Sequence, residues 1–315
     1  MSTRAPHILV VGSLNMDLVV QMPAIPRPGE TLLGGRFATF PGGKGANQAV
    51  AAARLGARVT MVGRVGGDAF GEQMLKIMSC EGIDTRFIGV DAGTATGVAL
   101  ITVDAQGQNS IAVASGANLT LTAEEVRSAW EQITRVDWLA MPLETPLDSV
   151  ETAAQIAKER GVKVILNPAP AQDLDVHLLR NIDVLIPNES ETERLTGQTI
   201  HSDEQARSAG VALLSLGVGS VVLTLGERGA LIVEGDQSDP AYYSIPAFPV
   251  RVVDTTAAGD AFVGALATGL GERLSLSAAV RFASAAAAIS VTRAGAQPSL
   301  PYRSEVDRFI RQGKL

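Results

Sequence analysis

Asp137-Trp-Leu-Ala-Met141, followed by Leu147 to Arg160 and then by Val162-Lys-Val-Ile-Leu-Asn167, is the stretch on which the fold turns. Two short apolar runs without polar alternation flank a segment of helical periodicity. Such runs suit strands buried on both faces of a sheet. A strand–helix–strand unit brings its strands together in parallel, with the helix crossing one face. The same rhythm extends downstream through Leu174–Arg180, Val184–Pro187, Ser190–Thr196, Gln205–Leu216, Ser220–Leu225, Gly259–Leu270, Leu276–Arg293 and Arg303–Gln312, mostly helical. Upstream, His7–Gly12 and Arg58–Val62 read as strands. Ala46–Leu55, Ala69–Glu81 and Thr122–Arg135 read as helices, the last opened by a capping box of Thr122 and Glu125. The pattern predicts one α/β domain over 1–315, a three-layer parallel-sheet core covered by helices on both faces.

Two regions break the rhythm, roughly 14–40 and 96–115. The first holds alternating segments, Asp17–Gln21 and Glu30–Phe40, interrupted by Pro23, Pro26, Pro28 and Gly29. The second joins Thr96–Val103 to Asn109–Ala114 through Asp104-Ala-Gln-Gly107, a hairpin signal. Antiparallel in character, the two are expected to form one small β-sheet lid projecting from the core. Its open edges and apolar face predict a homodimer through the lid.

Composition narrows the function. The chain has 315 residues, 46% hydrophobic and 19% charged, which excludes disorder. Cys80 is the only cysteine, so no disulfide framework exists. A net charge of −7 argues against nucleic acid, and no apolar stretch approaches a membrane span. A cytoplasmic protein is expected. The three histidines, His7, His177 and His201, show no ligand spacing.

Five glycine-rich or acidic turns carry candidate chemistry. In Gly12-Ser-Leu-Asn15-Met16-Asp17, after the first strand, Asn15 and Asp17 share one face of an extended segment. The segment is either a plain turn or an amide–carboxylate pair suited to sugar hydroxyls. Pro41-Gly-Gly43-Lys44-Gly45-Ala46-Asn47 enters a helix without the spacing of a Walker A or dinucleotide loop. It serves tight packing, or close approach of a ligand with Lys44 and Asn47 as donors. At Pro187-Asn188-Glu-Ser-Glu191, N-capping is the simpler reading, and a carboxylate organising magnesium and its waters is the other. Thr224-Leu225-Gly226-Glu227-Arg228-Gly229 fits a nucleotide lying across strand ends. The most specific signal is Asp254-Thr-Thr-Ala257-Ala258-Gly259-Asp260. Small residues bare the amides at a helix N-terminus, making an anion site, and Asp260 stands beside them as a base for an attacking hydroxyl.

Taken together, these motifs resemble the ribokinase-like carbohydrate kinases. Gly42–Asn47 with Gln48-Ala49 is similar to that family's first signature, and Asp254–Asp260 continuing to Leu266 to its second. Asn188 to Glu191 matches its Asn-x-x-Glu motif. Asn167-Pro-Ala-Pro-Ala171 and Thr292-Arg-Ala-Gly-Ala-Gln-Pro-Ser299 bring the likeness closer to its ribose-phosphorylating members. The resemblance implies ATP-dependent phosphorylation of the 5-hydroxyl of D-ribose. It implies sugar contacts at Asn15, Met16, Asp17, Gly43, Lys44, Gly45, Ala46, Asn47 and Glu144, with Asp260 as base and the Ala257–Gly259 amides as anion hole. Nucleotide positions are Asn188, Thr224, Leu225, Gly226, Glu227, Arg228, Gly229, Gly259 and Ser284, the last standing where the best-known members carry a histidine. Potassium is expected at Asp254, Thr256, Ser290, Arg293, Gly295 and Ser299, with magnesium organised around Asn188 and Glu191. A 2-deoxyribose or other small-sugar kinase, or a non-catalytic sugar or nucleotide sensor, would share these loops. An intact Asp260 argues against the sensor, and the missing glycine spacing against a dehydrogenase.

Overall fold

The computed structural model describes residues 4–236 and 238–313. Its main sheet has nine strands: β1 (His7–Val11), β4 (Arg58–Gly66), β5 (Asp84–Asp91), β8 (Trp138–Met141), β9 (Lys163–Leu166), β10 (Val184–Leu185), β11 (Ser220–Thr224), β12 (Ala230–Asp236) and β13 (Asp239–Ile245). Their order is β13-β12-β11-β10-β9-β8-β1-β4-β5. From β11 through β5 every pairing is parallel, while β12 and β13 add an antiparallel hairpin at one edge.

Alternation along β1 shows how the three layers arise. All five residues are buried, with Ile8 and Val10 in one core and Leu9 and Val11 in the other. The first core is closed by α1 (Lys44–Arg54), α2 (Ala69–Cys80), α8 (Ala258–Gly271), α9 (Leu276–Ser290) and α10 (Arg303–Gln312). The second is closed by α3 (Ala123–Gln132), α4 (Leu147–Glu159), α5 (Val176–Leu179), α6 (Glu189–Thr196) and α7 (Asp203–Leu214). The expected capping box of Thr122 and Glu125 opens α3. The α/β fold class read from the sequence is the one observed.

Two features position a site. First, β1 lies between β8 and β4, so the chain leaves it in opposite directions on its two sides. That makes the carboxyl end of β1 a topological switch point, where open α/β sheets bind ligands. Second, α8 meets α1 almost backbone to backbone. A Cβ on Gly264 would lie 2.6 Å from the Gln48 carbonyl oxygen and from Ala51 Cβ. This contact sets the start of α8 directly over Asn47 and Gln48.

The second sheet holds β2 (Asn15–Gln21), β3 (Arg36–Gly42), β6 (Gly97–Val103) and β7 (Asn109–Ala114), in the order β3-β2-β6-β7. Its two hairpins are antiparallel, as expected, and they join through a parallel β2–β6 pair, a junction the sequence leaves unspecified. Strand β3 starts only at Arg36, because Gly34 and Gly35 take positive φ just before it. Register aligns Asp17 with Ala99 and Val113, and Val19 with Ile101 and Ile111, so Ile111 and Val113 share the face of Asp17. Both are more than half exposed, as are Leu100 and Phe37.

Strands β5, β12 and β13 have no counterpart in the sequence reading. β5 is an edge strand of mixed burial with polar ends, and only the short 3-10 turn Gly226–Arg228, with no α-helix, separates β12 from β11. No helix among the described residues is long and apolar enough to cross a membrane.

Candidate active site

The carboxyl ends of β1, β8, β9 and β10, the start of β2 and the N-termini of α1, α6 and α8 converge on a group of acidic side chains. The sequence candidates Asn15, Asp17, Lys44, Asn47, Glu144, Glu191 and Asp260 meet here, all buried except Lys44 and Glu144, which are half-buried.

Asp260 does not cap its helix. The N-cap of α8 is Ala257, held at φ 59 with no side-chain cap. A non-glycine residue in the left-handed region stores strain that its surroundings must hold. The Asp260 carboxylate instead reaches α1, accepting from Asn47 Nδ2 at 2.9 Å on one oxygen and from Gln48 Nε2 at 3.2 Å on the other. Burial pushes its pKa up to about 6, against the pull of Lys44 and of these two amides. Around it the amides of Gly259 and Asp260 meet no backbone acceptor among the described residues, and the space over Gly259 is open. The three-amide hole expected from Ala257 to Gly259 is altered at Ala258, whose N–H turns back to the Thr255 carbonyl at 3.2 Å.

Opposite α8, Asn15 and Asp17 do project from one face of β2. Asn15 is oriented by Asn118, which donates to its Oδ1 at 2.7 Å and also clasps the backbone of Leu14 on both sides. Asn15 therefore has its own N–H donors left to offer. Asp17 packs against the bare Cα of Gly42, where a Cβ would collide with both carboxylate oxygens. Burial, with Glu144 and Asp260 adding repulsion, raises Asp17 to about 7. Glu144, after β8, is fixed by the Ser13 hydroxyl and by the Lys44 backbone N–H at 3.0 Å. The Lys44 ammonium is held firmly charged, chiefly by Asp260 and then by Glu144, Glu191 and Asp17, which outweigh its burial. One cation among four carboxylates can hold a neutral polyol, whose hydroxyls donate to the carboxylates and accept from the lysine. Gly43, at φ 86, ends the loop within van der Waals reach of Ser13 and Asn15, and Met16, Gly45 and Ala46 are buried beneath it.

Asn188 and Glu191 form a complete capping box at the start of α6, with the Asn188 amide also donating to Glu191 at 2.9 Å. Both carboxylate oxygens are occupied, and burial holds Glu191 above the usual carboxylate range. No group of three His, Cys, Asp or Glu able to hold a metal occurs among the described residues. The turn Thr224–Gly229 lies alongside, tied by the Thr224 N–H to the Pro187 carbonyl at 2.9 Å. Gly226 there has positive φ and open space, while Arg228 pairs outward with Glu189 and Asp203. Ser284 is buried on α9, which packs on β12 and β13 beyond that turn.

Asp254 joins two loops. One of its oxygens accepts from the Thr256 N–H and hydroxyl at 2.9 and 2.6 Å, the other from the Gly295 N–H at 2.8 Å. Burial works to raise its pKa, but these bonds hold it below the ordinary value. Ser290 and Ser299 share a hydroxyl–hydroxyl bond of 2.8 Å nearby, and Arg293 is drawn off to Glu305. The donors are all oxygens, a set that fits a hard cation.

Ser13, Asn118 and the pairing of Gln48 with Asp260 were not read from the sequence. Ser13 and Asn118 carry no local pattern, because their partners lie 131 and 103 residues away. Gln48 follows Asn47, and only the helix contact at Gly264 brings it to the carboxylate.

Comparison with known proteins agrees with this geometry. The family model for pfkB family carbohydrate kinases matches residues 5–303. A curated ribokinase of Haemophilus influenzae is 47% identical over 303 residues, covering 96% of this chain and 98% of that protein. A deoxyribokinase of Salmonella typhi is 38% identical over 304 residues, covering 96% and 98%. The solved structure of Arabidopsis thaliana ribokinase complexed with ribose and ATP superposes with a TM-score of 0.86 at 34% identity, covering 98% of this chain and 99% of that one.

Proposed function

Because the chain belongs to the pfkB family of carbohydrate kinases, we propose that it is an ATP-dependent kinase of D-ribose that transfers the γ-phosphoryl group to the 5-hydroxyl. The observation that carries this reading is Asp260, a buried carboxylate beside two unpaired helix-terminal amides and in one cluster with Lys44, Asp17 and Glu144. The 47% identity to the Haemophilus influenzae ribokinase over nearly the whole chain supports ribose.

In this reading ribose lies between β2 and the start of α1. Asp17 and Glu144 accept from its hydroxyls, while Lys44, Asn15 and Asn47 offer donors. ATP extends along Asn188 and the turn Thr224–Gly229, past Ser284, with its terminal phosphate at the Gly259 and Asp260 amides. Asp260 has one lone pair left on each oxygen after Asn47 and Gln48 are served, and it accepts the 5-hydroxyl proton. The sugar O5–phosphorus bond then forms as the bond to the β-phosphate bridging oxygen breaks. Phosphoryl transfer needs mostly positioning and charge neutralisation, which the preorganised amides supply. Magnesium, when bound, neutralises the phosphates. With Asn188 and Glu191 engaged to each other, this chain would hold it through phosphate oxygens and waters. We place the protein in the cytoplasm, as one domain with its small sheet acting as lid. A coupled ADP-release assay across ribose, 2-deoxyribose, fructose and adenosine tests the reading: ribose is expected to have the highest kcat/KM, and a clear preference for another acceptor would replace it.

Two further properties follow from the same geometry. A monovalent cation belongs at Asp254, Thr256, Ser290, Arg293, Gly295 and Ser299. Its chemistry is to stiffen the tie between the 254–256 loop and the turn before Ser299, which preorganises the amides of α8. Turnover is expected to rise on replacing a bulky organic cation by potassium at matched ionic strength; equal rates contradict the site. The second property is a homodimer. Ile111 and Val113 leave the outer half of the sugar-facing lid surface apolar and wet, and β3 and β7 are open edges. A two-fold pairing of lids covers both. Light scattering is expected to give twice the chain mass at micromolar concentration, and a fully active monomer would rule the pairing out.

A further inference from the structure

We propose that Gln48 is a positioning residue for Asp260, its side-chain N–H fixing one carboxylate oxygen so that the free lone pairs face the acceptor hydroxyl. The inference rests on the reading of Asp260 as the base and deepens it. Gln48 is fully buried, on a stretch of α1 whose next four residues, Ala49 to Ala52, are all apolar and buried. Its Nε2 donates to Asp260 Oδ1 at 3.2 Å and to Asn167 Oδ1 at 3.3 Å. Asn167 donates in turn to the Ile186 carbonyl at 3.0 Å, which anchors the chain of bonds to the end of β10.

The other end of the amide shows what it is for. Gln48 Oε1 has no hydrogen-bond partner, and neither has Asn47 Oδ1. A buried carbonyl oxygen without a donor is destabilising, and an apolar side chain of the same length would avoid it. Two successive amides thus each leave an oxygen unpaired while giving an N–H to the same carboxylate, one to each oxygen. Two such bonds fix the plane of a side chain whose terminal torsion is otherwise broad.

The groups facing Asp260 define what removal does. Asp17 from β2, Glu144 from the segment after β8 and Glu191 from α6 all disfavour its charge. Lys44 from α1 and the two amides support it. Losing the Gln48 donor shifts that balance toward the protonated acid, which cannot take a proton from the sugar.

The experiment is the pH profile of kcat at saturating ribose, where the bound sugar keeps Asp17 ionised, in wild type and in Gln48→Met, which keeps length and removes the donor. The acid limb of Gln48→Met is expected to move up by about one pH unit, equivalent to roughly a tenfold weaker hold on the ionised form. The melting temperature should change little, because the unpaired carbonyl that leaves with the amide offsets the donor lost to Asn167 and Asp260. Asn167→Ala, which loosens Gln48 without touching Asp260, is expected to move the limb in the same direction by less, and it serves as the readout if Gln48→Met does not fold. A rate that falls uniformly with pH while both limbs stay in place would show a packing role only and overturn the proposal. Absence of ribose-dependent turnover in the wild type would instead overturn the underlying reading, so the two failures are distinguishable.

Discussion

Asp260→Asn is expected to bind ribose and ATP much as the wild type does and to turn them over about 10²–10⁴-fold more slowly. An alcohol is a poor nucleophile until its proton can leave, and Asp260 is the carboxylate placed beside the free amides of α8. The substitution keeps the shape of the side chain and removes its basicity. It also sets an amide donor against either Asn47 or Gln48, so one of the two bonds to α1 is lost; the helix itself stays in place through the buried face from Ala261 to Gly269. Wild-type activity should carry the same signature in its pH dependence. With Asp260 raised to about 6, the base is ionised and active above that pH and becomes protonated and inactive below it. On kcat at saturating ribose, where the bound sugar keeps Asp17 ionised, the acid limb therefore falls near 6 in the wild type and disappears from what little activity Asp260→Asn retains. An Asn variant within a few-fold of wild type would mean that the proton leaves by another route.

Asp17→Ala is expected to weaken ribose binding by roughly 10–100-fold, on the scale of hydrogen bonds to a charged group. Asp17 makes no hydrogen bond to the protein among the described residues, and its carboxylate is packed between Gly42 and the cleft. It contributes nothing visible to the fold, so the melting temperature should hold or rise as a buried carboxyl is removed. Burial and the nearby Glu144 and Asp260 raise it to about 7, so in the free protein it is partly protonated near neutral pH. Sugar hydroxyls donate to the ionised form and stabilise it. Ribose affinity of the wild type should accordingly decline as pH falls through 7, and that dependence should vanish in Asp17→Ala. Calorimetric titration with ribose checks both points; unchanged affinity in the variant would remove Asp17 from the sugar site.

Most of the scaffold was legible because its signals are local. Continuous apolar runs such as Ile8–Val11 and Val164–Leu166 have one comfortable environment, between two helical layers, and α3 and α6 open on capping boxes written in adjacent residues. The hairpin around Asp104 to Gly107 was equally local, with Asp104 folding back on Gln106 and Gln108. What the sequence hid was long-range or unmarked. β12 and β13 follow β11 without an α-helix, and the parallel junction of β2 with β6 joins segments about eighty residues apart, which no turn signal announces. At the site, the loop 254–260 was readable because small residues bare an N-terminus regardless of what packs on it. The refinement at Ala258 was not, since a left-handed Ala257 and a bond back to Thr255 belong to the folded loop rather than to its composition. Of the two readings open for Asn188 and Glu191, cap or magnesium organiser, the cap is formed in full and engages both side chains.

In the proposed reaction this cleft moves the terminal phosphoryl group of ATP to the 5-hydroxyl of ribose, with Asp260 taking the proton. Its most direct test is phosphorus and carbon NMR of ribose incubated with ATP, magnesium, potassium and the purified protein, beside the Asp260→Asn variant. The account predicts a single phosphate monoester on carbon 5 of ribose, formed as ADP appears, and almost none with the variant. Phosphate on any other carbon, ADP release without a sugar product, or equal product from Asp260→Asn would contradict it.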